Sequence, residues 1–276
     1  MALIIPEVYS NLVREKFLGR VKVMNLAQNV GILKNTTQGD TITFPKWKTL
    51  TDVNLVVKGT QSAIDSLDQD SSTATIKMYD KIVRIFDIDD MSVLGSSIQE
   101  SASQMAVVFG RHIDDDLIAE AKLGAYKSAV AGATAITATE LNTAFGYFAD
   151  EVDIEDFAGI VVNSLLLPAF YAMPEFVDAT KTYNTMGNGL VRNGLVGFFR
   201  GVAIFVSNKG TYDSTLNECV SFIIKKGSLG YMEKTNINIV EEREEKLHCS
   251  DVVGTYTYAV KILDESGIVQ IRKTVA

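Results

Sequence analysis

Between Gly95 and about Ala131 the chain contains no proline. Within that stretch Ile98, Ala102, Met105, Ala106, Phe109, Ile113, Leu117 and Ala121 recur at three- or four-residue steps, which draws one apolar stripe along a helix. Gln99, Ser103, Arg111, Asp115 and Lys122 fall on the other side, with Arg111 and Asp115 four apart and able to pair. Ser97-Ile98-Gln99-Glu100 fits a capping box at the start, and Gly132 closes the stretch. A helix of this span would be a rod of about 45–50 Å, long against the ~11–12 residues of a mean helix. Strand-like alternation flanks it on both sides, so it reads as a spine around which the rest is arranged.

At 276 residues the chain can hold one large domain or two smaller ones. Its 47% hydrophobic and 22% charged residues belong to a folded protein and not a disordered one. No window is long and apolar enough for a transmembrane helix. Met1 to Pro6 is too short for a secretory segment and lacks a basic start. Two cysteines, Cys219 and Cys249, make no disulfide framework, which suits a reducing compartment. A net charge of −8 argues against tight nucleic-acid binding, which needs a basic surface.

Along the chain, a short helix is expected from Val8 to Gly19, with too few apolar positions for a core of its own, so the N-terminus reads as an arm lying on something else. Thr41-Ile42-Thr43-Phe44 alternates as a half-buried strand, and Pro45 suits an edge. From Thr49 to Asp70 the pattern dissolves around Leu55-Val56-Val57, with Asp52, Asp65, Asp68 and Asp70 nearby. Alternation resumes at Thr75-Ile76-Lys77-Met78 and again through Ile82, Arg84, Phe86 and Ile88. Two strands around some twenty-five loose residues read as a long β-arm; a loop of that length is uncommon inside a compact domain, and its face needs a partner chain to cover it.

Beyond the spine, Thr137-Ala138-Thr139-Glu140 is a second capping box, opening a helix whose Leu141, Ala144, Phe145 and Phe148 share a face. Strands are expected at Phe157–Val162, Gly201–Ser207 and Val220–Ile224, with a helix from Ser164 to Tyr171 disturbed by Pro168 or Pro174. This alternation suggests an α/β subdomain over about 134–232. The final segment alternates at Ile237 and Ile239, at Tyr256, Tyr258, Val260 and Ile262, and at Ile268, Val269 and Ile271, with a turn at Gly267, which predicts a closing hairpin.

No chemical motif is complete. Gly189 and Gly194 have the spacing of a phosphate loop, but Leu195-Val196 stand where Lys and Ser/Thr are required; Gly187 and Gly189 begin a dinucleotide fingerprint that fails at Arg192. His112 and His248 are the only histidines, and with Cys219 and Cys249 they give no metal-ligand spacing. No GxSxG elbow is present. Asp87, Asp89 and Asp90, and Asp114-Asp115-Asp116 on the spine, read as solvated faces, helix-dipole partners or subunit salt bridges rather than catalytic pairs. Glu241-Glu242-Arg243-Glu244-Glu245-Lys246 reads as a solvated run or an intersubunit contact. The expectation is no enzyme: no catalytic, cofactor-binding or metal residues, and no cofactor. An unrelated α/β enzyme is the different-class alternative.

Five segments, taken in order, resemble the major capsid proteins of tailed bacteriophages, the Hong Kong-type fold shared with encapsulin shells. Gly39-Asp40-Thr41-Ile42-Thr43-Phe44-Pro45 is similar to the entry into that family's extended loop, and Ile85 to Asp90 to its lead into the spine helix. Gly197 to Ser207 resembles a segment of its axial domain, Phe222 to Gly230 the strand and turn returning to its peripheral domain, and Glu242-Arg243 through Val269 its last segment. The resemblance covers nearly the whole chain.

It implies an α+β Hong Kong-type capsid fold: an N-terminal arm (1–38), an extended β-loop (39–86), a peripheral domain with the spine helix (87–133 and 233–276) and an α/β axial domain (134–232). It further implies a self-assembling coat protein whose hexamers and pentamers tile an icosahedral shell in the virion, built in the host bacterial cytoplasm around double-stranded DNA enclosed without sequence recognition. The implied partners are copies of itself, with scaffolding, portal and decoration proteins, and no membrane. Since the fold is expected to start almost at Met1, a separate scaffolding protein or none is implied. Some members crosslink through a loop lysine; Lys58 lies in that region, and nothing local marks it as reactive. The alternatives are an encapsulin-like compartment or another phage structural protein.

Overall fold

The structure, a computed structural model, describes residues 17, 21–32, 41–47, 53–56, 58–59, 61–62, 64–92, 96–129, 136–150, 152–177 and 194–274. The spine helix runs from Ser97 to Ala121. It buries Ala102, Met105, Ala106, Phe109, Ile113, Leu117 and Ala121, the stripe written in the sequence. Its cap is Ser96, whose hydroxyl accepts the Gln99 N–H, and not Ser97 as expected. The helix also ends ten residues before Ala131. Residues 122–124 close a turn onto Glu120 and Ala121 carbonyls, and Tyr126–Ala129 continue as strand β5.

The spine packs between two sheets. On one side lies a four-stranded sheet in the order β1 (Gln28–Ile32), β11 (Leu229–Glu244), β12 (Cys249–Ile262), β4 (Lys77–Phe86). Along β12, Val252, Tyr256 and Tyr258 face the helix, where Phe109 and Tyr256 meet edge to face at 6.2 Å. On the other side is a seven-stranded sheet. Its main path is β5, β13 (Ile268–Thr274), β10 (Glu218–Lys225), β6 (Phe157–Val162), β8 (Val202–Val206) and β7 (Leu195–Phe199), with β9 (Tyr212–Asp213) paired to β10. Val161, Val220, Phe222 and Ile224 from this sheet join the spine in the main core.

A second core fills the far face of the seven-stranded sheet. There the Ala138–Phe145 helix starts at the capping box read from the sequence: the Thr137 hydroxyl accepts the Glu140 N–H, and Glu140 accepts the Thr137 N–H. The two prolines start helices instead of disturbing them. Pro168 sits in the first turn of Leu167–Tyr171 and Pro174 opens Pro174–Val177, positions where the missing N–H has no intrahelical partner to lose.

The closing hairpin is corrected. β12 pairs with β11 and β4, whereas β13 pairs with β10 and β5 in the other sheet. Between them the chain crosses over Ser228, whose carbonyl accepts the N–H groups of Leu263 and Asp264. Gly267 is a close-approach glycine and not a hairpin turn: a Cβ there would stand 1.9 Å from Ser228 Oγ. The last strand therefore shares its sheet with β10, β6, β8 and β7, and not with β12.

Candidate assembly surface

β2 (Thr41–Trp47) and β3 (Gln69–Thr75) pair antiparallel, Thr41 opposite Thr75 and Trp47 opposite Gln69, as a separate two-stranded sheet. Pro45 sits opposite Ser71, and in a two-stranded ribbon every strand is an edge that tolerates proline. The ribbon is anchored at its base by a small third core, where Ile42, Phe44 and Ala74 meet Met232 and Ala259. Beyond the ribbon, residues 53–68 lack regular structure where described, and their apolar side chains face solvent: Val53 is 92% exposed, Leu55 90% and Ile64 84%. Lys58 is exposed in a turn on this loop. A β-arm is thus present, but its returning strand is Gln69–Thr75 and not Thr75–Met78 as expected, and β3 and β4 meet at Ile76.

β4 is an edge strand of the four-stranded sheet. Ile82, Val253 and Val240 lie in register across β4, β12 and β11 on the face turned away from the spine. Ile82 is 53% and Val240 40% exposed, and Met78 on the same side of β4 is exposed as well. Two bidentate ion pairs lie near this end of the sheet, of which Arg84–Asp251 shares the row's face. Arg84 donates to both Asp251 oxygens at 2.7 and 2.6 Å, which lowers the Asp251 pKa and raises that of Arg84. Arg243 holds Asp87 in the same bidentate way at 2.5 and 2.6 Å, and that hydrogen bonding lowers the Asp87 pKa.

At the foot of the arm, a small polar cleft is lined by Thr73, Thr75, Asp116, Glu120, Tyr258 and Lys261. Asp116 accepts the hydroxyls of Tyr79 at 3.0 Å and Tyr258 at 2.9 Å, tying the spine to β4 and β12. Burial and then the Asp116 charge push the Tyr79 hydroxyl up to about 12, and Tyr258 rises for the same reasons. Lys261 and Glu120 pair at 3.3 Å beside them.

The carboxylates expected on solvated faces therefore divide. Asp89 and Asp90 are exposed in the first turn of the Asp87–Ser92 helix, where the dipole favours them. Asp87 is instead clamped by Arg243, Asp116 holds two tyrosines, and Asp114 is buried against the backbone of residues 22–24. Charge type alone could not separate these; the sequence signal available was position, since Asp114 lies four residues beyond Gly110 on the apolar stripe.

The remaining candidates are dispersed. His112 is half-buried edge-on to Tyr79 with ring centroids 4.1 Å apart, and His248 is exposed in a left-handed turn. Cys219 and Cys249 are free, buried and in different sheets, and burial raises the Cys219 thiol. Among the described residues no group of three or more His, Cys, Asp or Glu is placed to hold a metal, and no helix is long and apolar enough to cross a membrane. Gly187, Gly189 and Arg192 fall outside the described residues, as does the expected Val8–Gly19 helix apart from Phe17. Gly201 makes a two-residue hairpin turn with Arg200, both at positive φ (85° and 49°), joining β7 to β8.

No protein-family model matches the chain. It is 25% identical over 272 residues to the major capsid protein of Staphylococcus phage phiMR11, covering 98% of this chain and 93% of that protein. Its structure superposes on the capsid of cyanophage P-SCSP1u with a TM-score of 0.65 at 16% identity, over 93% of this chain and 89% of that one. The head structure of Helicobacter pylori bacteriophage KHP40 gives a TM-score of 0.67 at 10% identity, over 93% and 91% of the two chains.

The chain has the phage capsid fold.

The resemblance read from the five sequence segments holds over nearly the whole length. Within the capsid fold, the exposed apolar loop and the apolar row on the outer sheet face are two of the apolar surfaces this chain leaves uncovered among the described residues, beside exposed side chains such as Ile88 and Met91. Such surfaces mark protein–protein contact sites.

Proposed function

We propose that this chain is a phage major capsid protein, a coat subunit that assembles with copies of itself into an icosahedral shell. Residues 53–68 support this most directly: their apolar side chains are exposed on a ribbon whose base is anchored, the arrangement of a segment whose covering comes from another molecule. The outer face of the four-stranded sheet, with Ile82 and Val240, offers a second apolar contact.

The subunit divides into an N-terminal arm (1–38), an extended loop (39–86) whose last strand β4 is built into the four-stranded sheet, a peripheral unit and an axial unit (134–232). The peripheral unit (87–133 and 233–276) holds the spine, β12 and most of β11, while β1 comes from the arm. The axial unit is completed by β5 and β13. Copies form hexamers and pentamers in the host cytoplasm, with scaffolding, portal and decoration proteins as further partners of the virion capsid. Double-stranded DNA is held by enclosure, as suits a chain of net charge −8.

Negative-stain microscopy of the purified protein tests this reading. Capsomers or closed shells are expected; a monodisperse 30.2 kDa monomer at high concentration across salt and pH would overturn it. Titration against duplex DNA should show no tight, steeply salt-dependent binding.

A further inference from the structure

The sheet beside the spine ends in a strand with an open edge. β4 pairs with β12 along its whole length, from Lys77 opposite Tyr258 to Phe86 opposite Cys249, with no bulge and no proline. Its other edge meets no strand among the described residues. A long, regular, unblocked edge is a template for pairing with another chain.

The side chains of β4 alternate. Tyr79, Val83 and Ile85 lean on the main core, so Met78, Asp80, Ile82, Arg84 and Phe86 point away from the spine. Three of these are large, apolar and uncovered: Met78 is 67%, Ile82 53% and Phe86 44% exposed. Asp80 is exposed and pairs with no other side chain among the described residues. Arg84, on the same face, lies four residues away, ~13 Å along a strand, and is held by Asp251.

This order of residues is its own complement. When two β4 strands lie antiparallel about a two-fold axis at Ile82, Ile82 meets Ile82, Asp80 meets Arg84 and Met78 meets Phe86, the last two pairs each formed twice. On the spine side Tyr79 meets Ile85 and Lys81 meets Val83. Like charges directly opposite each other destabilise a strand pair, and here none are. Moving the axis to Lys81 or to Asp80 sets that charge against itself, and moving it to Val83 sets Arg84 against Ile82. At Ile82 the apolar row of Val240, Val253 and Ile82 also continues across the axis.

We propose that the open edge of β4 is a two-fold contact between copies of this chain, in which the two strands pair antiparallel about Ile82 and join two four-stranded sheets into one. The contact is isologous, the same surface on both copies. It rests on the reading of the chain as a subunit that assembles with itself, and names one surface by which it does so.

Ile82→Cys in the full chain tests this. Residues directly opposite across a strand pair have Cβ atoms ~4.5–5.5 Å apart, within reach of a disulfide. Mild oxidation should convert most of this variant to a covalent dimer on a non-reducing gel. The unmodified chain, whose Cys219 and Cys249 are buried, should give none. Asp80→Cys alone should also give none, because its two copies stand ~13 Å apart along the strands. Asp80→Lys, which faces the partner with Arg84, should slow dimer formation by the Ile82→Cys chain about tenfold. No dimer from Ile82→Cys, equal dimer from Asp80→Cys, or no effect of Asp80→Lys each overturns the proposal. Shells without the Ile82→Cys dimer would remove this contact and leave the coat-protein reading; the dimer from a chain that closes no shell would do the reverse.

Discussion

The spine helix and the 53–68 loop both carry large apolar side chains, and the fold treats them in opposite ways. On the spine, Ile113 and Leu117 are fully buried between two sheets. On the loop, Leu55 and Ile64 are almost fully exposed. Periodicity makes the difference: the spine's apolar residues recur on one face, so a single chain can cover them together. Those of the loop follow no period, and no element among the described residues presents a face to them. In a subunit of a shell, the first set specifies the monomer and the second is left for the assembly.

Phe109→Asp should have the largest effect on this contrast. It places an unpaired charge against Tyr256 in the main core and should abolish folding, read as loss of soluble protein and of the far-ultraviolet circular dichroism signal. A soluble, folded variant would mean that the spine is not the centre of the monomer.

Glu140→Gln probes the second core. The Lys273 ammonium, 1% exposed, is paired with Glu140, which also closes the capping box. Burial pushes the Glu140 carboxyl up, but the hydrogen bonds from Lys273 and the Thr137 N–H outweigh it and leave it below the usual range. The variant leaves a buried cation unpaired and should cost about 3 kcal/mol in denaturant unfolding. In the unmodified protein the contribution is present above the ordinary glutamate pKa and is lost as pH falls through the depressed one. A flatter acid limb in the variant is the check.

Tyr258→Phe removes one of the two hydroxyls on Asp116 while Tyr79 keeps the other, so a loss of about 1–2 kcal/mol is expected from the same unfolding curves. A larger loss would show that the foot of the arm acts as one cooperative network.

Replacing residues 53–68 by a short Gly-Ser linker should change monomer stability least, because loop length enters closure entropy only logarithmically. The same change should abolish closed shells under the microscope. Normal shells, or an unfolded protein, would refute the loop as an intersubunit element.

Much of this was legible along the chain. The spine stripe, the Thr137 capping box and the β-arm are local patterns, and the structure repeats them. Two misreadings were local, the cap at Ser96 and the prolines that open helices; the others share a cause in long-range contact. The spine ends at Ala121, although apolar residues continue, because Tyr126–Ala129 find a parallel partner in β13. The closing alternation looked like one hairpin, yet β12 and β13 are drawn to strands in separate sheets. Asp114 looked solvated because its covering comes from residues 22–24, some ninety positions away. The assembly surface was legible only as an absence of period, which names the segment but not what meets it.

The position of β13 also sets a schedule. It lies between β5 and β10 in the sheet, so Tyr126–Ala129 gain their parallel partner only when residues 268–274 have been made. β4 likewise waits for residues 249–262. Pairings this distant in sequence form slowly, since chain entropy must be lost before the contacts reward it. A chain still emerging from the ribosome therefore lacks both finished sheets. Both sheets are completed only once residues 249–274 have been made, and a copy that lacks them has no finished sheet with which to meet a neighbour.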